Sequence, residues 1–305
     1  MKKHCRNMGI RDEELLMLLI TGITGLTGRF LITALREAGY SGNIRCLIRE
    51  HSDISWVTDT NVEFVKGDVS DVQSLVRAFA GVEGVIHLVN IRSAPEIIAA
   101  CKVSGINRIV IVTTTGIFSK YQQYSEEYKK LETIILGCGL DYTIIRPTMI
   151  YGNHQDKNIH KLVKIVNKYP IVPVIGKGYG LMQPIYAKDL AEVIAAAYMN
   201  PVSMKKAYNV AGQNPISLRE MMCLIADNIN KRRLFINIPY LLALAAGHVG
   251  ELIPNGLINV ERIQRLREDK VFKYDEAEKE LGFSPISFKE GIEHEIGALK
   301  RSGII

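Results

Sequence analysis

Three glycines spaced three apart, Gly22, Gly25 and Gly28 in the run TGITGLTG at residues 21–28, are the residues best suited to chemistry in this sequence. Their type and spacing fit the binding of two linked phosphates. The first glycine allows a tight turn, the second lets the backbone approach a pyrophosphate, and the third lets a following helix pack closely while its free N–H groups face the anion. Thr24, Leu26 and Thr27 lie within the same turn and are assigned to the same ligand. Roughly 20 residues further on, an acidic side chain would select NAD and a basic one would accept the extra phosphate of NADP. The run Arg45-Cys46-Leu47-Ile48-Arg49 puts Arg49 there, with Glu50 beside it. The expected cofactor is NADP, and Glu50 leaves NAD open.

Such a turn works only between a strand and a helix. Residues 15–20 form a continuous apolar run, as in a strand covered on both faces. Residues 29–38 place Phe30, Leu31, Ala34 and Leu35 on one helical face and end at Gly39. A second strand at 44–48 completes a βαβ unit. Strands at 62–66, 84–89, 108–113 and 142–145 then alternate with helices at 72–80, 94–104 and 126–138. The alternation predicts an α/β, Rossmann-type doubly wound parallel sheet with a smaller, mostly helical C-terminal substrate lobe. The expected organisation is a mobile extension over 1–13, a dinucleotide-binding domain over 14–150 and a substrate-side lobe over 151–305. Within that lobe, 183–212 is expected to return to the sheet through a helix at 189–197, N-capped by Asp189, and a strand at 207–210.

Composition narrows the partners. Of 305 residues, 47% are hydrophobic and 23% charged, which fits a globular fold rather than a disordered chain. The net charge of +6 comes from 38 basic and 32 acidic residues that are scattered, not gathered into the basic stripe of a nucleic-acid surface. Cys5, Cys46, Cys101, Cys138 and Cys223 show neither a disulfide framework nor metal-ligand spacing, so no metal is expected and a cytoplasmic location fits. No apolar stretch is long enough to span a bilayer, so no membrane partner is expected.

Several further motifs occur in order. They are Lys66-Gly67-Asp68-Val69, His87-Leu88-Val89-Asn90, Thr113-Thr114-Thr115-Gly116-Ile117-Phe118, Arg146-Pro147-Thr148-Met149-Ile150-Tyr151-Gly152, Gln183-Pro184-Ile185-Tyr186-Ala187-Lys188-Asp189-Leu190 and Leu281-Gly282-Phe283-Ser284-Pro285. With the glycine turn, they resemble the extended and atypical short-chain dehydrogenase/reductase family of NAD(P)-dependent epimerases, dehydratases and reductases. The resemblance runs over essentially the whole chain from Leu15. It implies Asp68 and Val69 near the adenine, and Leu88, Val89, Asn90, Thr113 and Pro147 along the cofactor. It also implies a homodimer built on the helices at 94–104 and 126–138.

In active members of that family a tyrosine exchanges a proton with the substrate while hydride moves to or from nicotinamide. A lysine four residues along supports the tyrosine, and a Ser/Thr hydroxyl positions the substrate oxygen. Thr114 matches the hydroxyl position. If Glu132 matches the family's glutamate, Tyr124 stands at the tyrosine position and Tyr128 at the lysine position. Lys129 and Lys130 then fall off the required helix face. The resemblance implies an oxidoreductase, epimerase or dehydratase acting on a nucleotide sugar or another small carbonyl or alcohol, with Thr114, Tyr124 and Tyr128 as catalytic candidates. The missing lysine supports the alternative of a non-catalytic NADP(H)-binding redox sensor or assembly module. His87, on an otherwise apolar strand, is read as a hydrogen-bonded core residue rather than a base.

Overall fold

The computed structural model describes residues 16–121, 123–156, 158–251 and 259–305. The extension expected over 1–13, with Cys5, lies outside the described residues, as does Leu15 of the first apolar run. That run forms strand β1 (Met17–Thr21), in which Leu18, Leu19 and Ile20 have no solvent exposure. Such complete burial follows from its place in the middle of a seven-stranded sheet. From one edge the order is the strand Lys206–Val210, β6 (Asp141–Pro147), β5 (Arg108–Val112), β4 (Gly84–His87), β1, β2 (Asn43–Ile48) and β3 (Val62–Lys66). All neighbours are parallel. The chain steps outward from β1 to β3 and then returns to β4 on the other side of β1. The carboxyl ends of β1 and β4 therefore flank the crevice where a doubly wound sheet binds its ligand.

Helices cover both faces. On one, α1 (Gly28–Glu37) brings Leu31 and Leu35 against Leu18, Ile20 and Ile86. On the other, α2 (Val72–Ala78), α3 (Ala94–Val103) and α4 (Ser125–Leu136) bring Leu75, Ile97 and Ile135 against Leu19, Val85 and Ile109. A separate core joins Tyr151, Val172, Met221, Phe288 and Ile292 with Val163 of α5 (Ile159–Lys168). The C-terminal half feeds both cores. α6 (Ala187–Met199) packs Leu190 and Ile194 into the α1 side of the sheet, joined there by Ala277 and Phe283.

Asp189 does not cap α6, contrary to the expectation from sequence. The helix begins two residues earlier, after Tyr186, whose short parallel pairing with Tyr151 carries the chain straight into the first turn. Asp189 is instead buried inside that turn, where its carboxylate accepts the Ile286 N–H at 2.9 Å. Burial raises its pKa to about 6. No helix among the described residues is long and apolar enough to cross a membrane.

Candidate functional site

The glycine turn runs straight from β1 into α1. Gly22 has φ +82°, and a Cβ there would lie 3.1 Å from both Leu88 Cβ and Val89 Cγ2. The end of β4 thus backs the turn closely. At Gly28 a Cβ would come within 2.3 Å of the Ile23 carbonyl oxygen, so no side chain fits. Thr27 occupies the cap position of α1 without a side-chain cap bond, and no acidic residue stands in the first turn. The positive end of the helix dipole is left for an outside anion.

Beside the turn lies a cavity of ≈ 590 Å³ whose lining includes Thr24, Arg29, Arg49, Glu50, Asp53 and Gln155. Its acids are engaged: Lys66 Nζ meets Glu50 at 2.5 Å, and Arg29 meets Asp53 at 3.8 Å. Arg29 also lies over the Trp56 ring at 5.4 Å. Arg49 forms no ion pair among the described residues. Sequence reasoning missed Arg29 and Gln155. The signal for Arg29 was its position directly after Gly28, whereas Gln155 reaches the turn from a distant loop and donates to the Thr24 carbonyl at 3.4 Å. Three buried polar atoms at this end of the sheet, Arg29 Nε, Gln155 Oε1 and Thr113 Oγ1, have no partner among the described residues. Buried groups of this kind each cost about 1–3 kcal/mol unless satisfied, and the phosphates, ribose hydroxyls and amide of a dinucleotide could satisfy them. The residues present fit the cofactor.

At the end of β3, exposed Asp68 accepts the Ser70 N–H at 2.9 Å and the Ser70 hydroxyl at 2.6 Å, which holds its carboxyl below the usual range. Val69 packs against the core of the α2 face. His87 is fully buried between Thr21 Oγ1, 2.7 Å from Nδ1, and Ser93 Oγ, 3.2 Å from Nε2. Burial pushes its pKa down to about 4, so the imidazole is neutral and structural. Asn90 Oδ1 accepts the Arg92 N–H at 3.0 Å and caps the short 3-10 turn Ile91–Ser93.

The catalytic candidates sit past β5. Thr114 Oγ1 accepts the Gly116 N–H at 3.0 Å and caps the 3-10 turn Thr115–Phe118. Thr115 donates to the Pro147 carbonyl at 3.1 Å, joining that turn to the end of β6. Tyr124, 47% exposed, immediately precedes α4, and half-buried Tyr128 follows one turn later. Their rings stack with centroids 6.4 Å apart. Lys129 is tied to Glu126 at 2.6 Å. The cation at this pair of tyrosines is Arg92, which the sequence reading missed because it arrives from the turn after β4. Its Cζ lies 4.8 Å from the Tyr124 ring centroid and 5.4 Å from that of Tyr128. A buried ion pair between Arg146 and Glu132 fixes α4 against β6.

The opposite wall comes from residues late in the chain. Ser119 donates to Glu268 at 2.6 Å, the Lys120 N–H donates to the same carboxylate at 2.7 Å, and Phe118 meets Phe272 at 5.8 Å. Behind this contact is a second cavity, of ≈ 290 Å³, bordered by Lys177, Tyr179, Tyr240, Arg267, Glu268 and Lys270. Burial lowers the Lys270 ammonium to about 8, and its Nζ donates to the Arg265 carbonyl at 2.8 Å.

A family model described as NAD(P)H-binding matches residues 22–201, more than half of the chain. The chain belongs to the NAD(P)H-binding family. Among its relatives is an N-acetyl-alpha-D-glucosaminyl-diphospho-ditrans,octacis-undecaprenol 4-epimerase of Escherichia coli O157:H7, 21% identical over 77% of this chain and 79% of the relative. Another is an NADH dehydrogenase [ubiquinone] 1 alpha subcomplex subunit 9 of Dictyostelium discoideum, 25% identical over 70% of this chain and 64% of the relative. The share of a relative's own length spanned by this chain runs from 22% to 96%. A solved nucleoside-diphosphate-sugar epimerase from Pseudomonas aeruginosa superposes with a TM-score of 0.78 at 18% identity, covering 95% of this chain and 99% of that one. The fold is also shared with a solved dTDP-glucose 4,6-dehydratase from Bacillus anthracis str. Ames, at a TM-score of 0.74 and 14% identity over 94% of this chain and 97% of that one.

Proposed function

We propose that this protein is an NADP(H)-dependent oxidoreductase, epimerase or dehydratase acting on a nucleotide sugar or another small carbonyl or alcohol with an anionic group. The observation that carries the reading is the placement of Thr114 and Tyr124 past the end of β5, on the same edge of the sheet as the glycine turn. The nicotinamide supplies hydride chemistry when bound. Tyr124 exchanges the proton of the substrate hydroxyl or carbonyl, and Thr114 orients that oxygen. Arg49 and Arg29 support the preference for NADP, since a ribose phosphate would meet two guanidinium groups while Glu50 is already held by Lys66. Lys177, Arg267 and Lys270 form no ion pair among the described residues, which supports an anionic group in the second cavity. Free Cys46, Cys101, Cys138 and Cys223 fit a reducing, cytoplasmic setting.

The test is turnover of NADPH and NADP with a panel of nucleotide sugars and small carbonyls, comparing the protein with its Tyr124→Phe variant. Slow, Tyr124-dependent turnover is expected. A second reading, a non-catalytic NADP(H)-binding assembly module, is supported by Tyr128 at the lysine position and by the relative named as a subunit of a larger complex. It predicts tight cofactor binding with no turnover and no effect of Tyr124→Phe.

A further inference from the structure

The position four residues after Tyr124 holds Tyr128 rather than a lysine, yet the tyrosine pair has a cation. Arg92 comes from the 3-10 turn that follows β4, and its place is fixed at three points. Its backbone N–H is held by Asn90 Oδ1 at 3.0 Å. Its guanidinium forks onto Glu127, with Nε to Oε1 at 2.7 Å and Nη2 to Oε2 at 2.8 Å. Its Cζ stands over both tyrosine rings, at 4.8 and 5.4 Å. Tyr124, Glu127 and Tyr128 are spaced i, i+3 and i+4, so one face at the start of α4 presents both rings and the carboxylate that orients the guanidinium. Lys129 is drawn away by Glu126.

We propose that Arg92 is the positioning cation of this site: reaching in from the β4 turn, it lies over the Tyr124 ring and holds it in place while the proton is exchanged with substrate. The inference rests on the enzymatic reading above. An arginine suits the role because it is charged at every working pH and its planar fork can engage a carboxylate and stack on an aromatic ring together. Glu127 fixes the plane of that fork. In the exchange itself the Tyr124 O–H bond breaks as the substrate oxygen gains the proton, or the reverse, and Arg92 neither gives nor takes a proton.

The test uses the full chain with NADP(H) and whichever substrate the panel identifies, measuring kcat and KM. Arg92→Met is expected to lower kcat about 10- to 100-fold, with KM and cofactor Kd changed less than about twofold. Arg92→Lys should retain most of the activity. Tyr128→Lys added to Arg92→Met should restore kcat by returning a cation beside the Tyr124 ring. If Arg92→Met leaves kcat unchanged, or if Tyr128→Lys fails to rescue a folded, cofactor-binding double variant, the proposal is overturned. Should the panel give no turnover, crystal structures of the protein and of Arg92→Met with NADP read the place of the Tyr124 ring. A displaced ring in Arg92→Met then supports the proposal, and an unmoved ring overturns it independently of the enzymatic reading.

Discussion

Thr21 Oγ1 and His87 Nδ1 lie 2.7 Å apart, joining the last residue of β1 to the last residue of β4 where the sheet reverses direction. The bond closes the floor of the crevice. Ser93 holds the other ring nitrogen, so one neutral imidazole ties two strands and the turn that carries Arg92.

That neutrality predicts acid sensitivity. Between pH about 6.5 and about 4 the unfolded chain protonates this histidine and the native protein does not, so stability falls as pH falls through that window. The contribution is of order 3 kcal/mol at most, since one pKa unit is worth about 1.4 kcal/mol. Urea midpoints measured from neutral pH down to about pH 4 should drop less steeply for His87→Gln than for the parent protein. An equal slope in both would show that other groups govern acid unfolding.

Cofactor choice is predicted at the rim of the larger cavity. Arg49→Ala and Arg29→Ala should each weaken NADPH binding about 10- to 100-fold, the worth of a charge-assisted hydrogen bond, and leave NADH nearly unchanged. Fluorescence titration with both nucleotides reads the ratio directly. A parallel loss for both would assign the arginines to the pyrophosphate instead.

The glycine turn separates binding from folding. At Gly25 a Cβ meets only the Gly22 carbonyl oxygen, at 3.3 Å, a tight contact that a small shift relieves, so Gly25→Ala should lose cofactor affinity with only a small drop in melting temperature. Gly28→Ala drives a Cβ into backbone at 2.3 Å and should be strongly destabilised or insoluble. Thermal melts with and without NADPH distinguish the two.

Much of this was legible in the sequence because it is local. Apolar runs bounded by glycine give β1 and its neighbours, and Gly22, Gly25 and Gly28 mark a turn whose geometry only small residues permit. What escaped was long-range. Gln155 reaches Thr24, Glu268 reaches Ser119, and Arg92 reaches Tyr124 only once β4, β5 and the C-terminal half of the chain are in place. Asp189 looked like a cap because an aspartate before an apolar helical stretch is the usual sign of one. Its partner, the Ile286 N–H, comes from the far end of the chain, where no local pattern points.

Glu295 gives the opposite pH response to His87. It is fully buried on the helix Phe288–Arg301, with Asp156 beside its carboxyl. Burial and the charge of Asp156 push its pKa up to about 10. Asp156 itself accepts the N–H groups of Asn158, at 2.7 Å, and His160, at 3.0 Å, at the start of α5. With its pKa raised that far, Glu295 is a neutral acid at physiological pH. From its ordinary value of 4.5 up to about 10 the native state holds a proton that the unfolded chain has released, so stability is lost as pH rises across that window. Glu295→Gln keeps the shape and removes the titration. Its melting temperature should exceed that of the parent by about 2–4 °C or more near pH 9 and converge on it toward about pH 5. A constant difference across the range would mean that folding does not shift the Glu295 titration.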